Sequence, residues 1–409
     1  MNKGVLRLAL SLALIGSGAL TTSTARAAVP GECFEGPVLS GARTLYCIPA
    51  EGWNGEVVAY AHGYVPPMAP LDYHGLVMAD GTDLPDLVQS LGYAFATTSY
   101  RRNGLAVLEG VEDLRNLIDA FPATFDHAYV IGPSEGGLIT AILAEDELGT
   151  QRFDGALSLC GPIGSFRRQL NYWGDFRVLF DSFFPGVLPP SPISIPPTLI
   201  AQWETTYAPG IAALLSARPL ATTQLLSTSK APIDIANPAT AVNTTLGLLW
   251  YNVFATNDGI TQLGGNPFDN KSRIYHGSFN DLALNAKVKR FSASPIALAN
   301  ITHYETSGAP TIPLVTMHTT GDEIIPSWHQ SLYQLKLLSN GEFGTIQIPI
   351  PRYGHCNFTT AEVLVAFNLM RLQATGEALS QVPAAYDVAS TRSEIERAAA
   401  EFAARNVEQ

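Results

Sequence analysis

The sequence is poor in basic residues and in cysteine. It has 24 Lys and Arg against 36 Asp and Glu, a formal net charge of −12, and four cysteines in 409 residues. An acidic surface argues against nucleic acid or an anionic membrane as the main partner. No two cysteines have C-x-x-C spacing, so a zinc site has little support. A chain of this length buries a full core without metal or disulfide staples.

Long apolar runs are also missing, apart from one near the N-terminus. Lys3 and Arg7 accompany the run LALSLALIGSGAL, and Ala25-Arg26-Ala27 follows as an A-x-A cleavage site. A spanning helix needs about 20 apolar residues, so this run is short for a membrane anchor, the alternative reading. The pattern predicts an export signal over residues 1–27. We therefore expect a secreted or periplasmic protein without a membrane anchor.

Strand-like and helix-like patterns alternate in the first third of the chain and again near its end. EVVAYAHGY (56–64) and YAFATTSY (93–100) are rich in β-branched and aromatic residues, whereas LAVLEGVEDLRNLIDAF (105–121) has helical apolar spacing. The alternation resumes with IPLVTMHTTGDEIIP (312–326) and ends in a helix at 359–376. This order predicts an α/β fold with a mostly parallel sheet and helices on both faces.

Between these two parts the pattern changes. The segment PGVLPPSPISIPP (185–197) contains too much proline for a regular helix or a central strand. Aromatic segments around it are typical of short helices joined by loops. We therefore expect a core built from residues 28–165 and 309–409, interrupted by a helical cap or lid insertion at 166–308.

A G-x-S-x-G motif lies in the first part of the core, at Gly132-Pro133-Ser134-Glu135-Gly136. A predicted strand, AYVI, precedes it and a predicted helix, LITAILAEDE, follows it. A strand-to-helix turn with small residues on either side is the setting of a nucleophile elbow. Ser134 is therefore the predicted nucleophile, and an ordinary glycine-rich turn is the alternative.

A serine nucleophile needs a base. Where the serine lies on a nucleophile elbow, a carboxylate and a histidine are expected later in the chain, in that order. Asp322 follows a predicted strand, and His355 follows the last one. We predict that Asp322 orients His355 and that His355 takes the proton of Ser134. The neighbouring Glu323 is expected to face solvent, and His329 is expected at the surface or at a helix cap.

Two backbone N–H groups are expected to hold an oxyanion. One belongs to Glu135, directly after the nucleophile. The other is assigned to Tyr64, which follows His62-Gly63 at the end of a predicted strand, and Val65 is the neighbouring alternative. Glycine at position 63 would let that backbone approach the site closely.

The motifs HGY, GPSEGG, GDEIIP and YGHCNF, in this order, resemble the α/β-hydrolase fold, in particular its secreted serine esterase and lipase branch. The resemblance covers roughly Thr44–Ser165 and Thr311–Gly376. It implies the same five functional positions: Ser134, Asp322, His355, Tyr64 and Glu135. Cysteine directly after the histidine is similar to secreted tannase-like and feruloyl-esterase-like enzymes, which pair it with a cysteine beside the serine, where this sequence has Pro133.

Four cysteines allow three pairings, and an oxidising compartment would favour disulfides. Cys33 and Cys47 both lie in the N-terminal segment. Cys160 ends the predicted strand after the elbow, on the same sheet edge as Cys356 beside the histidine. We predict the disulfides Cys33–Cys47 and Cys160–Cys356, with free buried thiols at the latter two positions as the alternative.

The predicted function is an exported serine hydrolase that cleaves carboxylic esters through an acyl-enzyme, with no cofactor and no metal. Hydrophobic or aromatic esters, including polyesters, are the expected substrates because aromatic side chains are available for an apolar pocket. Those candidate pocket residues are Tyr172, Trp173, Phe176, Trp203, Trp250 and Tyr251. An amidase or peptidase with the same triad is one alternative, and a catalytically inactive hydrolase fold used for binding is another. The loop 264–272 lacks a full set of calcium ligands, so we expect a polar turn there.

Overall fold

The computed structural model describes residues 28–146, 152–379 and 389–397, so the predicted export signal at 1–27 lies outside the described residues. The centre of the described structure is one eight-stranded sheet with the order β1-β2-β4-β3-β5-β6-β7-β8. The strands are β1 (Cys33–Glu35), β2 (Thr44–Cys47), β3 (Glu56–Tyr60), β4 (Ala94–Thr98), β5 (His127–Pro133), β6 (Gly155–Leu159), β7 (Leu314–Gly321) and β8 (Ile346–Tyr353).

Most of the sheet is parallel. Strands β4, β3, β5, β6, β7 and β8 run in one direction, whereas β1 and β2 form an antiparallel margin. The predicted α/β fold class is therefore confirmed. Because the parallel strands end at the same edge, the loops that follow β3, β5, β7 and β8 meet there.

Alternating side chains of each strand enter two different hydrophobic layers. Val57 and Ala59 of β3 pack into one cluster with the helices of one face. Val58 and Tyr60 of the same strand pack into a second cluster on the opposite face. All five residues of β3 are buried, as expected for a parallel strand that is covered on both sides. Helices thus lie on both faces of the sheet, as predicted.

The helices fall into a core set and a set between β6 and β7. The core helices are α1 (Leu84–Ser90), α2 (Val107–Asp119), α3 (Glu135–Ala144), α11 (Trp328–Asn340) and α12 (Thr360–Thr375). The helices between β6 and β7 are α4 (Phe166–Phe183), α5 (Pro197–Ala201), α6 (Ala208–Ala217), α7 (Pro219–Ser229), α8 (Thr240–Gln262), α9 (Asp281–Lys287) and α10 (Pro295–Asn300), with a π-helical turn at Trp203–Tyr207 and a 3-10 turn at Ile301–Tyr304. A capping box of Thr359 and Glu362 begins α12.

The helices α4 to α10 have a hydrophobic cluster of their own, to which Ile324 and Ile325 from the loop after β7 also belong. The expectation of short helices throughout this part was wrong for α8, which continues for 23 residues. Its length follows from tertiary contacts along its whole course, described below, since its threonines, asparagines and two internal glycines give it little intrinsic helix propensity. Among the described residues, no helix combines the length and apolar character needed to cross a bilayer.

Candidate active site

Ser134 occupies a sharp turn between β5 and α3. Its backbone has φ +59° and ψ −123°, a conformation that L-residues rarely adopt. The turn is held by hydrogen bonds from Ser134 N to Leu159 O (2.8 Å) and from Gly137 N to Ser134 O (2.9 Å). This strained strand-to-helix turn projects the serine at the C-terminal edge of the sheet, as a nucleophile elbow requires.

Glycines around the turn occupy positions where the Cβ of any other residue would come too close to neighbouring atoms. A Cβ at Gly136 would lie 2.0 Å from Ala61 O, and one at Gly132 would lie 2.5 Å from Gly136 O. A Cβ at Gly63 would lie 3.2 Å from Ser134 Cβ. The loop after β3 therefore approaches the serine closely, and the glycines of the motif are required by packing.

His355 links Ser134 to Asp322. The Ser134 hydroxyl donates to His355 Nε2 (3.0 Å), and His355 Nδ1 donates to Asp322 Oδ2 (2.8 Å). The second carboxylate oxygen of Asp322 accepts from the backbone N–H groups of Ile324 (3.0 Å) and Ile325 (2.8 Å). Asp322 is fully buried, so its carboxylate is fixed on both sides and the imidazole ring has one orientation.

Opposing effects act on the imidazole of His355. Burial lowers the pKa of His355, whereas the charge and hydrogen bond of Asp322 and the charge of Glu323 raise it. The net result is a pKa above the ordinary value, because the imidazolium form is stabilised by the carboxylates.

The expectation that Glu323 faces solvent was wrong. Its side chain is partly buried, with Oε2 shielded from solvent and without a hydrogen-bond partner among the described residues. Burial raises the pKa of Glu323, and His355 acts in the opposite direction. The helix α4 contacts this residue, since Tyr172 donates to the Glu323 carbonyl (2.8 Å).

The two predicted oxyanion donors belong to the residue after Ser134 and to the residue after Gly63. Glu135 begins α3, where a backbone N–H has no acceptor within the helix. Tyr64 follows Gly63, where a Cβ would lie only 3.2 Å from Ser134 Cβ. Neither N–H is hydrogen-bonded to another described residue. Both N–H groups thus remain candidate oxyanion donors.

The side chain of Glu135 turns away from the reaction centre into the core. Its Oε1 accepts from the Ala106 N–H (3.0 Å). Burial raises the pKa of Glu135 to about 8, and the backbone hydrogen bond from Ala106 partly opposes that effect. This carboxyl group ties the first turn of α3 to the beginning of α2, and the sequence motif alone did not indicate it.

Both predicted disulfides are present in the structure. Cys33 is bonded to Cys47 across the pair β1–β2, and Cys160 is bonded to Cys356 over a separation of 196 residues. The second bond joins the residue after β6 to the residue after His355. It therefore connects the loop that carries the imidazole to the strand next to the elbow.

The remaining histidines of this region have structural contacts. His318 lies inside β7 and its Nε2 donates to Ile325 O (2.7 Å), as expected of a core histidine. The expectation of a surface or capping position for His329 was wrong: its ring is fully buried. Its Nδ1 accepts from Gly164 N (3.0 Å). This contact joins α11 to the chain after β6, which sequence spacing does not reveal.

The six aromatic candidates for the pocket divide into two groups. Phe176 and Trp203 are 0% and 2% exposed and belong to the core of the helices α4 to α10. Tyr172, Trp173, Trp250 and Tyr251 are half-buried. Trp173 stacks on Tyr251 with ring centroids 4.7 Å apart, and its indole donates to Ile324 O (3.0 Å). The second group therefore lies beside the Asp322 loop.

No metal site is evident in the ranges 28–146, 152–379 and 389–397. The one group of three possible ligands there is Cys160, His355 and Cys356, and its two sulfurs are joined in a disulfide. In the loop 264–272, the oxygens of Asn266 and Asp269 accept backbone N–H groups at Phe268 and Lys271. These bonds form the polar turn that we predicted.

Neither a protein-family model nor a curated protein matches the sequence at a significant level. Similar solved structures include an acylaminoacyl peptidase of Pyrococcus horikoshii, with 13% sequence identity and a TM-score of 0.42. The match covers 92% of this chain, which spans about half (46%) of the length of that peptidase. Feruloyl esterase B of Aspergillus oryzae is 15% identical (TM-score 0.41, 84% of this chain and 81% of that chain). An esterase of Pyrococcus furiosus is 10% identical (TM-score 0.41, 85% and 91%). The assignment to the α/β-hydrolase fold rests on the sheet order and the elbow after β5.

Proposed function

We propose that the chain is a serine hydrolase that cleaves carboxylic esters through an acyl-enzyme formed on Ser134. The observation that carries the proposal is the continuous hydrogen-bonded chain from Ser134 Oγ through His355 to Asp322. It begins at a strained turn and ends in a buried carboxylate with three hydrogen bonds. This arrangement fits nucleophilic catalysis.

In the first half of the reaction, Ser134 Oγ attacks the ester carbonyl and its proton passes to His355 Nε2. The oxyanion is held by the N–H groups of Tyr64 and Glu135. His355 then protonates the departing alcohol oxygen, which leaves an acyl group on Ser134. Water repeats the sequence with His355 as base, and the carboxylic acid is released.

A cleft between α4 and α8 supports hydrophobic or aromatic esters as substrates. Its lining is mainly apolar and includes Leu170, Trp173, Tyr251, Ala255, Ile260 and Phe268. Two lining residues connect this cleft to the triad: Trp173 donates to Ile324 O in the Asp322 loop, and Tyr251 interacts with Ser134. We propose that this cleft takes the acyl or aryl group of the ester, because an apolar lining favours such groups.

Two further proposals concern the helices and the location of the protein. We propose that the insertion 166–308 acts as a cap over the site, on the basis of the hydrogen bonds that Tyr172 and Trp173 make to the Asp322 loop. We also propose export to an oxidising compartment. Two disulfides support it, since such bonds persist in secreted and periplasmic proteins.

The deciding experiment compares wild type and Ser134→Ala on chromogenic esters with short, long and aromatic acyl groups, together with the matched anilides. Ser339→Ala, a substitution on the outer helix α11, serves as the control. We expect ester hydrolysis by wild type and the control, and a loss of at least ~1,000-fold in Ser134→Ala. A fluorophosphonate probe should label wild type at Ser134.

Two results would contradict the proposal. Faster hydrolysis of anilides than of esters would make the enzyme an amidase or peptidase. A wild-type protein that neither hydrolyses any ester nor reacts with the fluorophosphonate would have no functional nucleophile at Ser134, and a binding role would take its place.

A further inference from the structure

The helix α8 is attached to the core at both ends. Near its beginning, the Thr244 hydroxyl is hydrogen-bonded to the Tyr353 hydroxyl at the end of β8 (2.9 Å). Near its end, Asp258 accepts from Arg102 Nη2 (2.6 Å) and from the Leu105 N–H (2.7 Å). Because both attachments involve the strand-end edge of the sheet, α8 crosses directly over that edge.

The middle of α8 is attached through the same face. The Phe254 carbonyl accepts from the Tyr64 hydroxyl (3.1 Å), and a Cβ at Gly247 would lie 2.9 Å from Ile324 Cδ1. Positions 244, 247, 251, 254 and 258 repeat every three, four or seven residues, which places them on one side of a helix. Tyr251 is therefore the residue of this face that lies between the loop after β7, which carries Asp322, and the loop after β3, which carries Tyr64.

The ring of Tyr251 is held by aromatic neighbours on several sides. It stacks on Trp173, with centroids 4.7 Å apart and an interplanar angle of 16°. Trp250 contacts it edge-on at 5.1 Å, and the Tyr64 ring lies at 5.9 Å. These contacts hold the phenol ring between the loop after β7 and the loop after β3, and the Tyr251 hydroxyl interacts electrostatically with the Ser134 side chain.

We propose that the Tyr251 hydroxyl is a third hydrogen-bond donor at the reaction centre, supplied by α8, which binds the oxyanion together with the N–H groups of Tyr64 and Glu135. This proposal rests on the proposed function. It assigns to an element outside the α/β core a catalytic role that neither the G-x-S-x-G motif nor the triad implies.

The chemistry requires no proton transfer from Tyr251. When Ser134 Oγ bonds to the carbonyl carbon, the serine proton goes to His355. The oxygen bonded to the same carbon then takes the negative charge. A hydroxyl that interacts with the Ser134 side chain before the attack is close enough to reach this oxygen after a small shift. Burial raises the pKa of Tyr251 strongly, and Asp322 adds to the increase while the Ser134 hydrogen bond opposes it. The phenol therefore remains protonated and a donor.

The test uses full-length Tyr251→Phe, which keeps the ring and removes the hydroxyl. Tyr275→Phe is the matched control, because the Tyr275 hydroxyl is also inside the helical insertion, bonded to Asp175 (2.6 Å), but away from Ser134. Removing one oxyanion donor costs about 100- to 1,000-fold in rate. We expect kcat to fall about 100-fold in Tyr251→Phe with little change in KM, while Tyr275→Phe retains wild-type kcat.

A series of phenyl acetates with different leaving-group pKa values separates the oxyanion from the leaving group. If the hydroxyl binds the oxyanion, its removal in Tyr251→Phe lowers the acylation rate by the same factor across the series. A loss that grows with leaving-group pKa would assign the hydroxyl to the departing oxygen and overturn the proposal. An unchanged or higher kcat would overturn it as well, the latter by showing that the contact with Ser134 is inhibitory.

Two controls keep the outcome interpretable. Thermal melts of both variants define a temperature at which each is folded, and the rates are compared there. If wild type itself neither turns over esters nor reacts with the fluorophosphonate, the proposed function has failed. If wild type is active and labelled but Tyr251→Phe equals it, only the role of Tyr251 has failed.

Discussion

At the residue scale, the properties of His355 depend on two adjacent carboxyl groups with different contacts. Asp322 accepts the imidazole N–H directly and is saturated with hydrogen bonds. Glu323 has an unpartnered carboxylate oxygen and acts on the imidazole through its charge. The sequence supported Asp322 as the orienting group because it occupies the expected strand end. It did not indicate the burial of Glu323, because the helix α4, which contacts this residue, comes from a distant part of the chain.

The effects of Asp322 and Glu323 on the pKa of His355 predict how catalysis depends on pH. In the proposed mechanism His355 is the base, which requires its neutral form, and kcat/KM reports the pKa of this group in the free enzyme. Since the pKa of His355 is raised above the ordinary value of 6.5, the acid limb of the kcat/KM profile should have its midpoint above pH 6.5. Removing a nearby negative charge destabilises the imidazolium, so Glu323→Gln should lower the midpoint and extend activity toward acidic pH.

The measurement is the kcat/KM profile of a chromogenic ester between pH 4 and 9 for both proteins at constant ionic strength. Glu342→Gln is a suitable control, because this glutamate lies in the loop after α11 and is not among the groups that act on His355. A wild-type midpoint at or below 6.5, or an upward shift in Glu323→Gln, would contradict the electrostatic argument.

At the element scale, α8 combines attachment to the core with one wall of the apolar cleft. One of its faces contacts the strand-end edge through Thr244, Phe254 and Asp258. Ala255, Gly259 and Ile260 line the cleft. The helix therefore fixes the position of the cleft relative to Ser134. Substitutions on its cleft side should change the preference among ester substrates more than the rate of the chemical step.

Gly259 offers a direct test of the cleft. A Cβ at this position meets no atom within 4 Å, so a side chain can begin there without a clash, and a leucine would occupy part of the cleft. Leucine in place of glycine also favours the helix by up to about 1 kcal/mol. We expect Gly259→Leu to lower kcat/KM for long acyl esters by ~10-fold or more, while acetate esters are hydrolysed as by wild type.

The matched variant is Gly210→Leu in α6. A Cβ there also meets nothing within 4 Å, and Gly210 is exposed and does not line the cleft. The ratio of long-chain to short-chain kcat/KM should therefore equal that of wild type. If both leucine variants changed the ratio equally, or if Gly259→Leu left it unchanged, the acyl group would bind elsewhere.

At the scale of the whole molecule, the two disulfides join very different parts of the chain. Cys33–Cys47 closes a short loop at the antiparallel margin of the sheet. Cys160–Cys356 connects segments that are separated by the entire helical insertion, and it includes the residue next to His355. The first bond is thus local, whereas the second fixes the imidazole loop relative to the elbow strand.

We therefore expect different consequences of removing each bond. The double variant Cys160→Ala/Cys356→Ala should lose about 10- to 100-fold in kcat/KM, because small displacements of a catalytic group have effects of this size. Its melting temperature should fall as well, since the disulfide restricts the unfolded chain. The variant Cys33→Ala/Cys47→Ala should lose stability and retain kcat/KM. Steady-state kinetics and thermal melts of both variants check this, and equal activity losses would contradict it.

The sequence by itself determined the parts of this protein that depend on local order. Alternating strand and helix patterns predicted the parallel sheet, and glycines around Ser134 marked the elbow because only they fit a turn so close to other backbone atoms. The order of serine, aspartate and histidine selected the residues that parallel strands bring to one edge. These features repeat with a short period or occupy strand ends, so one pass along the chain detects them.

Only the tertiary structure decided how the helical insertion meets that edge. The continuous helix α8, the burial of Glu323 and His329, and the contact between Tyr251 and Ser134 all arise between residues that are far apart in sequence. No local pattern specifies such pairs, because an aromatic residue on a helix has the same spacing whether it faces a core or a nucleophile. Packing of the insertion against the sheet, with its hydrogen bonds at both ends of α8, selects among these positions.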